Sequence, residues 1–172
     1  MSDGVVRQGR VVPDSPHRAA HPSPRTRPAA GDDIPTIQDL VSELQRELEI
    51  PQRFEAAQVL SMLTSPASGV LLAEVAGNVA GLLSYSVHPG FLHGGASFRI
   101  EDLIIGSEFR HQGCACALLA AGEERARQLG CVELEVSALE GNLAAQGLYR
   151  SMGYVGGAIL MEKEVPPLPS DG

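Results

Sequence analysis

Residues 108–119 read Glu-Phe-Arg-His-Gln-Gly-Cys-Ala-Cys-Ala-Leu-Leu, and they are the most informative part of the chain. The apolar segment before them, residues 100–105, predicts a strand, and the run Ala117–Ala121 predicts the buried side of a following helix. Backbone N–H groups in a helix's first turn have no partner within the helix and lie at the positive end of its dipole. Gly113 and Ala115 would let this backbone approach a ligand closely. The stretch is therefore a candidate site for a pyrophosphate.

This turn differs from two other phosphate-binding loops. A Walker loop needs Gly-x-x-x-x-Gly-Lys-[Ser/Thr], but the only lysine of the chain is Lys163, far downstream. A dinucleotide fingerprint needs Gly-x-Gly-x-x-Gly and an acidic residue about twenty positions later, and both are missing at this turn. A purely structural turn stays an alternative, because a basic residue and two small ones meet by chance in many strand-to-helix connections.

Three segments of the chain resemble recurring pieces of the GNAT family of N-acetyltransferases. The pattern [Arg/Gln]-x-x-Gly-x-[Gly/Ala], formed here by Arg110, Gly113 and Ala115, resembles the loop in which these enzymes hold coenzyme A. Residues 142–154 resemble the family's segment Asn…Ala…[Leu/Phe]-Tyr-x-x-x-Gly-[Phe/Tyr]. Residues 27–37 resemble its first strand and the start of its first helix.

The order and gaps of these pieces imply how the chain is organised. The resemblance implies a GNAT acetyltransferase domain over residues 24–165, with a short tail over residues 166–172. Residues 1–23 contain prolines and arginines but no apolar face, which predicts a disordered tail. For the domain, the family implies an α/β fold with a mixed, mostly antiparallel central sheet flanked by helices. The chain predicts strands at 25–28, 69–74, 79–88, 97–105, 131–136 and 158–165, and helices at 32–49, 53–63, 113–129 and 143–152. The second and third strands are expected to form a hairpin that turns at Gly77 and Asn78, whose residue types tolerate positive φ.

The resemblance also implies a reaction, the transfer of an acetyl group from acetyl-CoA to a primary amine, and roles for two side chains. Tyr149 stands at the position of the tyrosine that protonates the sulfur of coenzyme A; the alternative is that it only packs on a helix face. Glu101 is the candidate base, and its alternative is a solvated or arginine-paired carboxylate. Because residues alternate along a strand, we expect Glu101 and Leu103 to share one face and Asp102 to lie on the other. Only one acid would then face the cleft.

The same resemblance implies the cofactor contacts. The backbones of Ile104 and Ile105 would pair with the pantetheine arm as with an added strand. Arg110 would add positive charge beside the pyrophosphate. Backbone amides would bind that group, from Gln112, Gly113, Cys114, Ala115 and Cys116. Asn142 would lie near the pantetheine or the tyrosine, or would be a plain helix N-cap.

The chain departs from the family pattern at three positions. His111 and Cys114 replace the usual glycine and β-branched residue, and Ser107 replaces a frequent proline. No departure removes a hydrogen-bond donor, so we expect coenzyme A to bind.

The acceptor is expected to be a small amine. The segment Ile-Glu-Asp-Leu at residues 100–103 resembles a strand of the diamine and polyamine acetyltransferase branch. The formal net charge of −8 suits an amine substrate, although such a charge also serves solubility alone. Two alternatives are an acetyltransferase of protein N-termini or lysines, and a module that binds coenzyme A as a sensor without turnover.

Composition indicates one soluble domain. A chain of 172 residues can build a single core, and it has neither a long apolar run for a membrane span nor a secretory signal. The negative charge makes nucleic acid an unsuitable partner. Three cysteines and five scattered histidines predict neither a disulfide framework nor a metal site. We therefore expect a cytoplasmic protein that needs no metal and that could form a homodimer.

Overall fold

The computed structural model describes residues 23–51, 55–91 and 93–156, together with Leu160, Met161 and Lys163. Apart from Ser23, the two predicted tails lie outside the described residues. Most of the predicted strand at 158–165 lies outside them too, and its three described residues belong to no strand.

Five strands and four helices are present in the described residues, and most lie close to their predicted bounds. The strands are β1 (Arg25–Pro28), β2 (Ser68–Val75), β3 (Asn78–His88), β4 (Ser97–Ile105) and β5 (Glu133–Val136). The helices are α1 (Ile34–Glu47), α2 (Ala56–Thr64), α3 (Cys114–Gln128) and α4 (Leu143–Ser151). Short 3-10 turns occupy Gly31–Asp33 and Ser107–Phe109.

The strands form one sheet in the order β1-β2-β3-β4-β5. The first three pairings are antiparallel, and β4 pairs with β5 in parallel. The predicted mixed, mostly antiparallel sheet flanked by helices is therefore confirmed.

The hairpin between β2 and β3 turns one residue earlier than predicted. The prediction placed the turn at Gly77 and Asn78, but Val75 pairs with Asn78. The two turn residues are therefore Ala76 and Gly77, with φ of 51° and 85°. Two positive φ values are what a two-residue hairpin turn requires, and glycine supplies one of them without strain.

Helix α1 begins later than predicted because the chain before it is tied to the sheet. The Arg27 guanidinium donates to both carboxylate oxygens of Asp33 at 2.7 and 2.8 Å, and to Glu74 of β2 at 2.7 Å. Hydrogen bonding from Arg27 holds the pKa of Asp33 below its ordinary value. This pairing fixes residues 31–33 as a 3-10 turn ahead of the helix.

The sheet is buried on both faces, which explains the long apolar runs in β2 and β3. Helix α3 covers one face, in a cluster around the fully buried Leu83, Phe98 and Leu118. Helices α1 and α2 cover the other, in a cluster that includes Leu72 and Leu82. The two faces of β4 therefore belong to different layers.

Candidate active site

The last half of β4 has an open backbone edge. Pairing with β5 runs only from Ser97–Glu133 to Ile100–Val136, while pairing with β3 continues to Ile105–Gly81. Among the described residues, the segment 101–105 therefore has a strand on one side only. An extended ligand can add to such an edge as another strand would.

Ile104 and Ile105 lie on this open segment, as their predicted cofactor role requires. Ile104 is buried in the cluster beneath α1 and α2, and Ile105 packs against the cluster beneath α3. Their side chains are thus held in the core on opposite faces, and only the backbone is offered to a ligand.

The turn after β4 forms a cradle of backbone N–H groups at the start of α3. The first bond of that helix runs from the N–H of Ala117 to the carbonyl of Gly113 at 3.0 Å. The N–H groups of Cys114, Ala115 and Cys116 before it thus have no acceptor within the helix. These groups and the helix dipole favour an anion at this position.

Gly113 is required at the start of the cradle by its backbone conformation and not by crowding. Its φ is 85°, in the left-handed region. A Cβ atom there would meet nothing nearer than Pro24 Cγ, at 4.0 Å. An L side chain would therefore introduce backbone strain without a clash.

His111 shares this left-handed conformation, with φ of 62°. The conformation explains why glycine is the usual family residue at the position. Histidine tolerates the left-handed region better than most side chains do, so the loop keeps its path despite the substitution.

Ser107, at the frequent proline position, connects the cradle to α1. Its backbone N–H donates to Glu43 Oε1 at 3.0 Å. Hydrogen bonding from the Ser107 side chain and backbone, aided by Arg110, holds the pKa of the Glu43 carboxyl below its ordinary value. Proline has no N–H and could not make this backbone bond.

Arg110 is also paired with α1. Its Nη2 donates to both carboxylate oxygens of Glu47, at 2.9 and 2.7 Å, and its Nε lies 3.4 Å from the carbonyl of Ile105. Glu43 and Glu47 are four residues apart, so neighbouring turns of one helix hold both ends of the turn 107–110. The charge of Arg110 is already compensated here, and its contact with a pyrophosphate stays a prediction.

The two acidic residues of β4 lie on the same face, which corrects the alternation expected from sequence. The register pairs Ser84 with Asp102 and Tyr85 with Ile100, so Glu101 is an extra residue in a β-bulge. The Ser84 hydroxyl donates to Asp102 Oδ2 at 2.5 Å, and the Ser86 hydroxyl donates to Glu101. Serines two positions apart on one strand share a face.

Leu103 lies on the opposite face from Glu101, packed against the cluster beneath α3. The expectation that Glu101 and Leu103 share a face was therefore wrong. The sequence contains a signal for the bulge: the apolar positions on the α3 side are 98, 100, 103 and 105, a spacing of three where alternation requires two.

Ser84, Ser86 and His88 extend the polar surface along β3. From sequence, His88 is either a residue of the acceptor site or a solvent-exposed loop residue, and the two serines were missed. His88 Nε2 lies 2.7 Å from Ser86 Oγ and 3.6 Å from Glu101 Oε1. The three polar residues interrupt an apolar strand at every second position. That period of two could have placed them on one face before the structure was known.

Tyr149 lies on the other side of the sheet. It is half-buried on α4, packs against the α3-side cluster, and its ring centre is 5.8 Å from that of Tyr154. Burial raises the pKa of Tyr149, which keeps its hydroxyl protonated and able to donate. Burial, together with the nearby Glu123 and Tyr149, raises the pKa of Tyr154 to about 12. The carboxylates and Tyr149 therefore stand on opposite faces of the sheet.

Asn142 is the N-cap of α4, because its Oδ1 accepts the N–H of Ala145 at 3.0 Å. This is the plain capping role that the sequence left open, and any contact with the cofactor stays a prediction.

No group of three or more His, Cys, Asp or Glu side chains suited to a metal occurs within the described ranges. None of the helices described is long and apolar enough to cross a membrane.

Solved structures with the same fold include acetyltransferases. An aminoglycoside N-acetyltransferase in complex with CoA is 18% identical, with a TM-score of 0.72 over 90% of this chain and 99% of that one. A ribosomal-protein-alanine N-acetyltransferase from Brucella melitensis biovar Abortus 2308 is 17% identical, with a TM-score of 0.70 over 84% and 100%. A transcriptional regulator from Bacillus halodurans C-125 is 17% identical, with a TM-score of 0.72 over 83% and 99%. At these identities the likeness shows the fold.

Among curated protein sequences, none matches this chain significantly. The sequence model of the acetyltransferase (GNAT) family, in contrast, matches residues 35–154, which run from the first turn of α1 through α4 to Tyr154. This match covers well over half of the chain and contains the open edge, the cradle and both carboxylates. The chain belongs to the GNAT family of acetyltransferases.

Proposed function

We propose that the protein transfers the acetyl group of acetyl-CoA to a primary amine of a small cationic acceptor, such as a diamine or polyamine. One observation carries the proposal: the bulge in β4 places the carboxylates of Glu101 and Asp102 on the same face, at the strand segment whose other edge is open.

The described residues fit coenzyme A at two places. The N–H groups at the start of α3 suit its pyrophosphate, and the space beside the Cα of Gly113 is open. The open edge at Ile104 and Ile105 suits the amides of the pantetheine arm. An extended arm along this edge would run beside Glu101 and Asp102.

The chemistry follows from what an amine needs in order to attack a thioester. An ammonium group must first lose a proton, and Glu101 Oε2 can accept it, because Ser86 and His88 contact the other oxygen of this carboxylate, Oε1. The amine nitrogen then forms a bond to the acetyl carbon, the carbon–sulfur bond breaks, and the nitrogen, which is positively charged after the attack, loses a second proton to solvent. Solvent also restores the proton that Tyr149 gives up in the next step. The departing thiolate takes the proton of the Tyr149 hydroxyl, which burial keeps protonated. Transfer would be direct, with both substrates bound together.

Asp102 would bind a second ammonium group of the acceptor. Its carboxylate is held by Ser84, which is buried, with only 4% of its surface exposed. A fixed negative charge beside the base favours an acceptor with more than one positive charge. Aminoglycosides and polyamines meet this requirement, and a single peptide N-terminus does not.

The proposal is tested with a panel of diamines, polyamines, aminoglycosides and peptides with a free N-terminus or lysine, assayed by release of the coenzyme A thiol. Blanks without acceptor are needed because the enzyme's own Cys116 is exposed. Glu101→Gln and Asp102→Asn form a matched pair that removes one charge each. We expect Glu101→Gln to lower kcat, and Asp102→Asn to raise the KM of the acceptor without changing that of acetyl-CoA.

The panel separates the alternatives. Faster turnover of peptides than of every small amine would replace this proposal with a protein acetyltransferase. Binding of coenzyme A without acetylation of any member would replace it with a sensor module.

A further inference from the structure

The hydroxyl of Ser86 connects the carboxylate of Glu101 to the imidazole of His88. Ser86 Oγ contacts Glu101 Oε1 and lies 2.7 Å from His88 Nε2. An ionised carboxylate only accepts hydrogen bonds, and a hydroxyl has a single hydrogen to donate. The Ser86 hydrogen therefore goes to Glu101, and the bond between Ser86 and His88 is donated by the Nε2–H of the imidazole.

We propose that Ser86 is a positioning residue for Glu101, supported by a bond from His88, whose Nε2 lies 2.7 Å from Ser86 Oγ and 3.6 Å from Glu101 Oε1. The inference rests on the proposed function, in which Glu101 accepts the proton of the amine. By holding Oε1, the hydroxyl orients the glutamate and leaves Oε2 for the acceptor.

The need for such a residue follows from the surroundings of Glu101. Its side chain is 39% exposed, and as the extra residue of the bulge it has no residue of β3 directly opposite it in the strand register. A long side chain in solvent samples several rotamers, and ordering it has an entropic cost. The bond from Ser86 supplies this order before the acceptor binds, and the donation from His88 polarises the hydroxyl and strengthens the bond.

Ser84 provides an internal comparison. It lies two residues before Ser86 on β3 and donates to Asp102 in the same way, at 2.5 Å. Ser84→Ala thus removes the same group from the same strand but releases the other carboxylate. A general disturbance of β3 would affect both variants, whereas loss of a positioned base would affect only Ser86→Ala.

The kinetic test compares the wild type with Ser86→Ala, Ser86→Thr and Ser84→Ala, using an acceptor found in the amine panel. We expect Ser86→Ala to lower kcat roughly ten- to a hundredfold, as for loss of a hydrogen bond to a charged group, with the KM of acetyl-CoA unchanged. Ser86→Thr keeps the hydroxyl and should restore most of the turnover. Ser84→Ala should reduce kcat less than Ser86→Ala does, and thermal unfolding checks that each variant is folded.

A second measurement needs no turnover. The carboxyl 13C resonance of Glu101, assigned through its loss in Glu101→Gln, should move in Ser86→Ala and stay in place in Ser86→Thr. A wild type that acetylates no amine would overturn the proposed function and with it this catalytic role, even if the resonance shows the bond. Wild-type turnover that persists in Ser86→Ala, or that Ser86→Thr does not restore, would overturn the role of Ser86 alone.

Discussion

Replacing Ser107 with proline should destabilise the protein at neutral pH and stabilise it at low pH, because the substitution removes a hydrogen bond to Glu43. Ser107→Pro places in this chain the residue that is frequent at the position. The preceding Gly106 has ψ of 139°, which is compatible with a following proline. The variant therefore loses both the backbone N–H donated to Glu43 and the Ser107 hydroxyl that helps to lower the pKa of this carboxyl, without an obvious steric conflict.

Two opposing effects set the magnitude. A hydrogen bond to a charged acceptor contributes about 1.5 kcal/mol at the lower end of its range, which is appropriate at this exposed position. Proline restricts the unfolded chain and stabilises by about 0.4–1 kcal/mol. At about pH 7 we expect a net loss of roughly 0.5–1 kcal/mol in the free energy of unfolding, or a few degrees in Tm.

The sign of the pH dependence follows from the lowered pKa of Glu43. A carboxyl whose pKa is lower in the folded state contributes stability above its ordinary value of 4.5, and loses it as the pH falls through the folded value. The penalty of Ser107→Pro should therefore shrink below that pH. Once Glu43 is protonated in the folded protein, the proline effect remains, and the variant should be the more stable protein.

Thermal and urea unfolding between about pH 3 and pH 7 measure this difference. Glu43→Gln is the matched control, because it keeps the shape of the side chain and removes its titration. In that background the effect of Ser107→Pro should no longer depend on pH. A penalty that is constant across the range in the wild-type background would refute the role assigned to the Glu43 carboxylate.

Three further predictions concern the cofactor and the reaction. Gly113→Glu should abolish the binding of coenzyme A measured by calorimetry, because its carboxylate would repel the pyrophosphate. Gly113→Ala is the control: it carries the same backbone strain of about 1–2 kcal/mol without the charge, and it should bind coenzyme A measurably but more weakly than the wild type does. Equal affinities of the two variants would place the pyrophosphate elsewhere. Coenzyme A at about a hundred times its Kd should stabilise the protein by roughly 2.7 kcal/mol in the presence of EDTA, and a shift that needs added magnesium or zinc would contradict the amide cradle. Tyr149→Phe should lower kcat by about a hundredfold while the Kd of coenzyme A stays unchanged. Because burial raises the pKa of Tyr149, the hydroxyl of the wild type should stay protonated, and able to act as the acid, up to at least about pH 10. Full turnover of Tyr149→Phe, with chemistry shown to be rate-limiting, would exclude the tyrosine as the acid.

The local pattern of the sequence accounts for most of the fold. The strand predicted at residues 97–105 has those bounds in the structure, because an apolar run between a glycine-rich loop and a glycine turn is a strong local signal. Helices α3 and α4 agree with prediction to within one residue at each end. Such elements can be predicted from a periodic pattern of apolar residues and a residue, such as glycine, that marks where the element ends.

Contacts between distant parts of the chain account for what was missed. The pairing of Arg110 with Glu47 was not predicted, because Glu47 lies 63 positions earlier and no local pattern links the two. The bulge at Glu101 depends on the register with β3. Strict alternation was the default there, and a single extra residue was enough to reverse the face assigned to Leu103.

The bulge at Glu101 places a side chain of the candidate site at a position that contributes little to the stability of the fold. Phe98 and Leu83 are fully buried, so a change at either leaves a cavity or a clash and destabilises the core. Glu101 has no partner across the β3–β4 ladder and contributes little to packing. Substitutions at position 101 therefore cost little in folding, so the side chain there is constrained by the proposed reaction and not by the stability of the sheet.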